Sequence, residues 1–334
     1  MKRRDFVSQL ALGGLALGFG DWAESRNSKD IDELELGIIG LSPHSAAFSK
    51  ILNDKEKKSD LLGCRIKVLY HPPGNPDVEF SDNRLNSYES DVRSAGVKLV
   101  DSTDELINQV DGVLIETNDG RPHLEQVMPV FKAGKPVFVD KPVAASLNGV
   151  VEIFEKAKEY NVPFFSSSSL RYTSTVQEID KKKVLGANTF SPASIEKSHT
   201  DLFWYGIHGV EPLYTVMGTG CKEVAQIHHS DSEDIVVGHW KGNRVGIVRG
   251  QRAGKHDYGG TVFGEDFTTY IGNFEGYRPL VVKIVEFFNT NEPPVSNEET
   301  IEIYAFMEAA QESKRMNGQP VSVQRILDKA YNNY

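Results

Sequence analysis

Short apolar runs and stretches of helical spacing take turns along the first half of the chain. Apolar runs at residues 35–41, 66–70, 97–100, 112–117, Val137–Val139 and 163–165 read as strands. Between them, residues 46–53, 82–96, 103–110, 121–134 and 150–160 carry helical spacing, with Ser102 or Thr103 able to cap one of the helices. Strand and helix alternate with short connections, which predicts a doubly wound parallel sheet. The second half patterns differently. Strands are expected at 193–197, 223–229, 234–240, 244–249 and 261–270, and helices at 277–288 and 297–316 close the chain.

The predicted fifth strand ends abruptly in Asp140, Lys141 and Pro142. In an open α/β sheet, ligands bind beyond the carboxyl ends of the strands. Lys141 therefore leaves the sheet where a cofactor and a substrate would meet, with Pro142 biasing it towards extended geometry. Gly40, after the first strand, is expected at the same edge.

At 334 residues the chain has room for two domains. The expected division is an export signal and linker over 1–30, a dinucleotide-binding domain over 33–165, and a substrate and oligomerisation domain over 166–334. A formal charge of −10 speaks against a nucleic-acid partner. The N-terminus adds a compartment. Arg3 and Arg4 precede an apolar, small-residue run to Gly20, the layout of a twin-arginine export signal. A periplasmic or other extracytoplasmic location follows, with no membrane attachment after export; a cytoplasmic protein is the alternative.

The phosphate-binding loop departs from G-x-G-x-x-G. Residues 40–45 read Gly-Leu-Ser-Pro-His-Ser, with glycine at the first position and serine at the other two. Ser42, His44 and Ser45 are still expected to meet a pyrophosphate at a helix N-terminus. The second strand ends in Tyr70 and His71, where an acid would bind the adenosine ribose. His71 stands in that place.

Asp140-Lys141-Pro142 resembles the glutamate-lysine-proline signature of the Gfo/Idh/MocA oxidoreductases, which include glucose–fructose oxidoreductase and inositol dehydrogenase. Residues 37–41, 118–123, 133–137, Arg171-Tyr172 and the Gly206-Ile207-His208 segment are similar to the same family, so the likeness runs from about residue 35 to about 325. It implies a Rossmann domain followed by an α/β domain with an open mixed or antiparallel sheet, and a homo-oligomer built through that sheet. It implies NAD or NADP as cofactor, with NAD favoured, held by Gly40, Ser42, His44, Ser45, His71, Asn118, His123, Asp140 and Lys141. The substrate would be a small carbohydrate met by Arg171, Trp204 and Tyr205.

Taking a hydride from a carbinol carbon requires a base for the hydroxyl proton. The resemblance points to His208 as base and Lys141 as the assisting cation, with Glu211 one turn later to orient the imidazole. Where the family often carries an aspartate four residues before that histidine, this chain has Trp204. A metal is not expected: His228 and His229 would point to opposite faces of a strand, and His239 and His256 show no ligand spacing. Two readings stay open. One is an NAD(P)-dependent oxidoreductase of a sugar, glycoside or cyclitol, with a tightly held, recycled cofactor as a variant. The other is a non-catalytic carbohydrate-binding protein on the same scaffold.

Overall fold

The apolar runs of the first half assemble into one parallel sheet. A computed structural model of the protein describes residues 33–74, 78 and 80–334. The leader, with Arg3 and Arg4, lies outside the described residues. Strands β1 (Leu34–Ile39), β2 (Cys64–Tyr70), β3 (Lys98–Val100), β4 (Gly112–Ile115), β5 (Val137–Val139) and β6 (Phe164–Phe165) pair in the order β3-β2-β1-β4-β5-β6. Every pairing is parallel. Helices α1 (Pro43–Leu52), α2 (Asp82–Ser94), α3 (Thr103–Ile107), α4 (His123–Lys132) and α5 (Leu147–Glu159) fill the connections. This is the doubly wound Rossmann arrangement that the alternation predicts, with its switch point between β1 and β4.

Alternation along the strands sorts the core into two clusters. Ile38, Leu114 and Phe138 pack on the α1 side with Phe48, Phe165 and Phe287. Ile39, Ile115 and Val139 point to the other side, among Val127, Val130 and Val150. Burying each such side chain is worth about 1.5–3 kcal/mol. Ring contacts run Phe48–Phe138 at 6.4 Å, Phe138–Phe165 at 4.9 Å and Phe165–Phe287 at 4.7 Å, which seats the helix Arg278–Thr290 on the α1 side.

The second sheet has seven strands: β7 (Val184–Pro192), β8 (Cys221–His229), β9 (Glu233–Trp240), β10 (Val245–Gln251), β11 (Gly259–Gly264), β12 (Thr268–Gly272) and β13 (Val321–Ser322). Their order is β12-β11-β7-β10-β9-β8-β13, with β7 and β10 parallel and the other pairs antiparallel. Helix Ile207–Met217 packs on β7 and β10, and helix Asn297–Arg315 on β8. The strand expected at 193–197 lies instead at Val184–Pro192. Its polar Thr189 is buried because its hydroxyl donates to Gly209 O at 2.8 Å. The single strand expected at 261–270 is two strands, and a further helix, Val323–Asn332, follows the two expected at the C-terminal end.

Candidate active site

Register places the site. Ile39 pairs with Ile115, and Ile115 with Val139, so the residues that follow are level: Gly40, Glu116 and Asp140. The row is bonded across, Glu116 N–H to Ile39 O at 2.7 Å and Asp140 N–H to Ile115 O at 2.9 Å. Gly40 and Lys141 thus share the C-terminal edge of one sheet. Gly40 has φ +105°, and a Cβ there would sit 2.3 Å from Thr117 N. Glycine is required at this point by both sterics and backbone geometry.

Two clefts open at this edge and meet at Asn118. The first, of about 530 Å³, is lined by Gly40, His71, Thr117, Asn118, Arg121 and Gln126, among others. His71 Nδ1, Thr117 Oγ1 and Gln126 Oε1 are buried without a hydrogen-bond partner among the described residues. Unpaired buried polar atoms cost stability unless a ligand or water meets them, so this crevice fits a polar ligand such as the adenosine half of a dinucleotide. Arg121 here grips Asp119 through two bonds of 2.9 and 3.0 Å.

The loop before α1 is less open than expected. Ser42 Oγ accepts from the N–H of His44 and Ser45, and Ser45 Oγ accepts from Ser42 N–H at 2.7 Å while donating to Ser42 O. This is a closed capping box, and Pro43 has no N–H to give. The serines therefore spend their hydroxyls and amides on the helix end rather than holding them out to a phosphate.

The second cleft, of about 260 Å³, is lined by His44, Asp140, Lys141, Trp204, Tyr205 and Tyr277, with Phe80 and Arg84 at its rim. His44 Nδ1 meets Asp140 Oδ2 at 2.6 Å, and its ring stacks against Phe48 and meets Tyr277 edge-on. Burial opposes the charge on Asp140, yet His44 and Lys141 hold its carboxyl down at about 2. Glu116 goes the other way. Burial and then the Asp140 charge push its carboxyl well above the usual range, against the pull of Lys141. Both Glu116 oxygens lack a hydrogen-bond partner among the described residues. The Lys141 ammonium lies 5.4 Å from the centre of the Tyr205 ring, and no ion pair holds it among the described residues.

His208 is one ring further in. It packs edge-on against Tyr205 at 5.0 Å and Tyr258 at 5.8 Å, and its Nδ1 is 2.8 Å from Ser168 Oγ. Burial, then the charges of Lys141 and His44, hold the ring well below its ordinary range, so it is neutral near pH 7. Burial, then Tyr205, pushes the Tyr258 phenol up.

Several expected roles change. Glu211 does not orient His208; its carboxylate accepts from Arg171 Nε at 2.7 Å and from Ser168 N–H at 3.3 Å. Ser168 holds the imidazole instead. Arg171 is not turned to a substrate, because it is buried between Glu211 and Glu299. Those two carboxylates keep it charged against the cost of burial. His123 is not presented to a cofactor: its ring is buried, bridging Val143 O at 3.0 Å and Thr117 O at 2.9 Å. A neutral ring donates to one of these carbonyls at a time. It braces the segments that carry Thr117 and Lys141, and Tyr304 adds a second brace by accepting from Val143 N–H at 2.7 Å. Trp204 is not on the helix of His208. Its helix, Asp201–Trp204, ends at Tyr205 before Ile207–Met217 begins, and its indole lies 5.0 Å from His199 while still lining the cleft. Glu116 and Ser168 were not singled out from sequence.

Residues 35–168 match the family described as the oxidoreductase family, NAD-binding Rossmann fold, Gfo/Idh/MocA. A curated relative, an uncharacterized oxidoreductase of Streptococcus pneumoniae, is 28% identical over 158 residues, which span 46% of this chain and 38% of that protein. Among solved structures, a probable dehydrogenase from Thermotoga maritima is 20% identical, covering 88% of this chain and 100% of that one, with a TM-score of 0.69. Myo-inositol 2-dehydrogenase from Lactobacillus plantarum is 16% identical, covering 87% and 99%, with a TM-score of 0.70. Scyllo-inositol dehydrogenase from Lactobacillus casei, solved with NAD(H) and scyllo-inositol, is 14% identical over 87% and 99%, with a TM-score of 0.69. Residues 35–168 are thus similar to the NAD-binding Rossmann domain of the Gfo/Idh/MocA oxidoreductases, and the fold of these solved structures is shared over most of the chain.

Proposed function

We propose that the chain is an NAD-dependent oxidoreductase that moves a hydride from a carbinol carbon of a sugar, glycoside or cyclitol. The observation that carries this reading is Lys141, at the C-terminal edge of the parallel sheet, facing a cleft that adjoins the switch-point crevice. His71, Thr117 and Gln126 would hold the adenosine half of the cofactor through atoms that now lack partners. Bound nicotinamide would supply the hydride acceptor. The Lys141 ammonium then stands beside the oxygen that gains negative charge. His208, kept neutral by burial and packed behind Tyr205 rather than on the cleft, receives the hydroxyl proton through the Tyr205 phenol. Tyr205, between His208 and the cleft, presents its phenol to the substrate, and Trp204 offers an apolar face to the sugar ring.

The inositol dehydrogenases of like fold support a polyhydroxylated substrate. Arg3, Arg4 and the apolar run behind them support export by the twin-arginine route. The closed capping box at Ser42 favours the second reading, a carbohydrate-binding protein without chemistry. Denaturing the purified protein and assaying the supernatant for NAD(P), then titrating stripped protein with NAD(H), tests the proposal. Absence of both release and binding would leave the second reading.

A further inference from the structure

Three polar side chains on the α1 side of the sheet take no step in the hydride transfer above, although two of them, His44 and Asp140, line the cleft of Lys141. Alternation along β4 and β5 sends Ile115 and Val139 to one face and would send Glu116 and Asp140 to the other, the face that α1 covers. His44, on the first turn of α1, reaches down to the same point. One ligand atom from each of His44, Glu116 and Asp140 lies within 4.8 Å of the others.

Glu116 is the anomaly in this group. It is 0% exposed, yet neither oxygen has a hydrogen-bond partner among the described residues. A buried carboxyl left unpaired costs stability whether it is charged or neutral. Asp140, a second buried carboxyl, is its neighbour. Two carboxylates and an imidazole converge here, one of them without a hydrogen-bond partner among the described residues, and a divalent cation takes such a donor set. We propose that His44, Glu116 and Asp140 form a divalent-cation site, with the nitrogen-and-oxygen donors that suit Zn²⁺ or Mn²⁺.

The geometry needs a small adjustment. Bonds of about 2.0–2.2 Å around a tetrahedral ion set ligand atoms roughly 3.3–3.6 Å apart. The ligand atoms lie within 4.8 Å of one another, so Glu116 closes in by at most roughly 1.2–1.5 Å on that figure, and among the described residues no hydrogen bond restrains it. His44 and Asp140, now 2.6 Å apart, open slightly as the ion replaces the proton between them. The positive charge of Lys141 acts against the ion, and Glu116, whose carboxyl burial pushes up, releases its proton as the ion binds; two carboxylates then outweigh one ammonium. His44, with 17% of its side chain exposed, is the side from which the ion enters.

The test uses the full chain, stripped with a chelator and titrated calorimetrically with Zn²⁺ and, separately, with Mn²⁺. One equivalent is expected in the wild type, and Glu116→Gln should weaken it by about ten-fold or more, by comparison with the loss seen for weaker outer-shell changes. Co²⁺ added to stripped wild type should give visible absorption bands that are absent in Glu116→Gln. His44→Gln is measured alongside, and thermal unfolding of each stripped variant checks that it folds. No binding to the wild type, or equal binding by a folded Glu116→Gln, overturns the proposal; the latter would place the ion on surface groups such as His228. Stripped, metal-free protein is also titrated with NAD(H). Cofactor binding without metal binding overturns this inference alone, and metal binding without cofactor binding overturns the proposed function alone.

Discussion

Replacing Arg171 with methionine should expose how the floor of the site is held. Arg171 is 6% exposed and Glu211 4% exposed, so Arg171→Met leaves the Glu211 carboxylate buried without its counter-charge. Breaking a buried pair in this way costs about 3–5 kcal/mol. Glu211 can escape part of that by taking up a proton. From its ordinary value of 4.5, doing so at pH 7 costs about 3.4 kcal/mol, and at pH 5 about 0.7 kcal/mol. Burial already pushes this carboxyl up even with Arg171 beside it. Without Arg171 its folded value rises further, so the penalty is present at pH above 4.5 and disappears as pH falls towards it. Urea unfolding followed by circular dichroism should therefore show a loss of about 3 kcal/mol at pH 7 and a clearly smaller one at pH 5. Arg171→Met with Glu211→Gln should recover part of the pH 7 loss. A loss below about 1 kcal/mol at pH 7, the size of an exposed pair, or an equal loss at both pH values, would refute the reasoning.

Gly40→Ala should abolish soluble expression or cofactor binding, because its Cβ would lie 2.3 Å from Thr117 N and its φ of +105° suits glycine; normal NAD(H) titration of a folded variant would contradict this. Ser42→Gly should lower stability by only a few tenths of a kcal/mol, since glycine is itself an acceptable cap. Its NAD(H) affinity should hold or improve, and a fall of more than about ten-fold would mean that the hydroxyl holds phosphate rather than the helix end. His208→Asn should reduce turnover on the order of 100-fold or more once a substrate is found. In the wild type, kcat/KM should show no descending limb near pH 6.5, because burial keeps His208 neutral well below that pH. The same depressed value means that the contribution of His208 to stability is complete above about 6.5 and falls as pH drops below it.

The first sheet was legible because β4, β5, β6 and the end of β1 are continuous apolar runs buried on both faces, while β2 keeps an apolar alternation and β3 ends in apolar residues. The row at its C-terminal edge follows from strand order, which gave Gly40 and Lys141 their shared place. Glu116 carried a signal too, as a lone acid closing an apolar run, but its partners come from α1 and β5, and pattern along one strand does not show convergence between strands. Roles assigned by helical spacing fared less well. The three-residue step from His208 to Glu211 places both on one helix, yet Ser168 and Arg171, from the buried serine segment and the turn after it, take their polar atoms. The four-residue step from Trp204 to His208 crosses a break at Tyr205. In the second sheet, β7 was misplaced because Asn188, Thr189 and Ser191 hide its apolar alternation; Asn188 is exposed, and the buried Thr189 hydroxyl is satisfied by Gly209 O, a contact that local sequence does not contain.

The central claim, that the switch-point crevice holds a nicotinamide dinucleotide beside Lys141, is tested most directly by calorimetric titration of stripped protein with NAD(H), in the wild type and in Lys141→Met. The account predicts one equivalent bound in both, with carbinol oxidation lost in Lys141→Met. Failure of stripped, folded wild type to bind either NAD(H) or NADP(H) would contradict it.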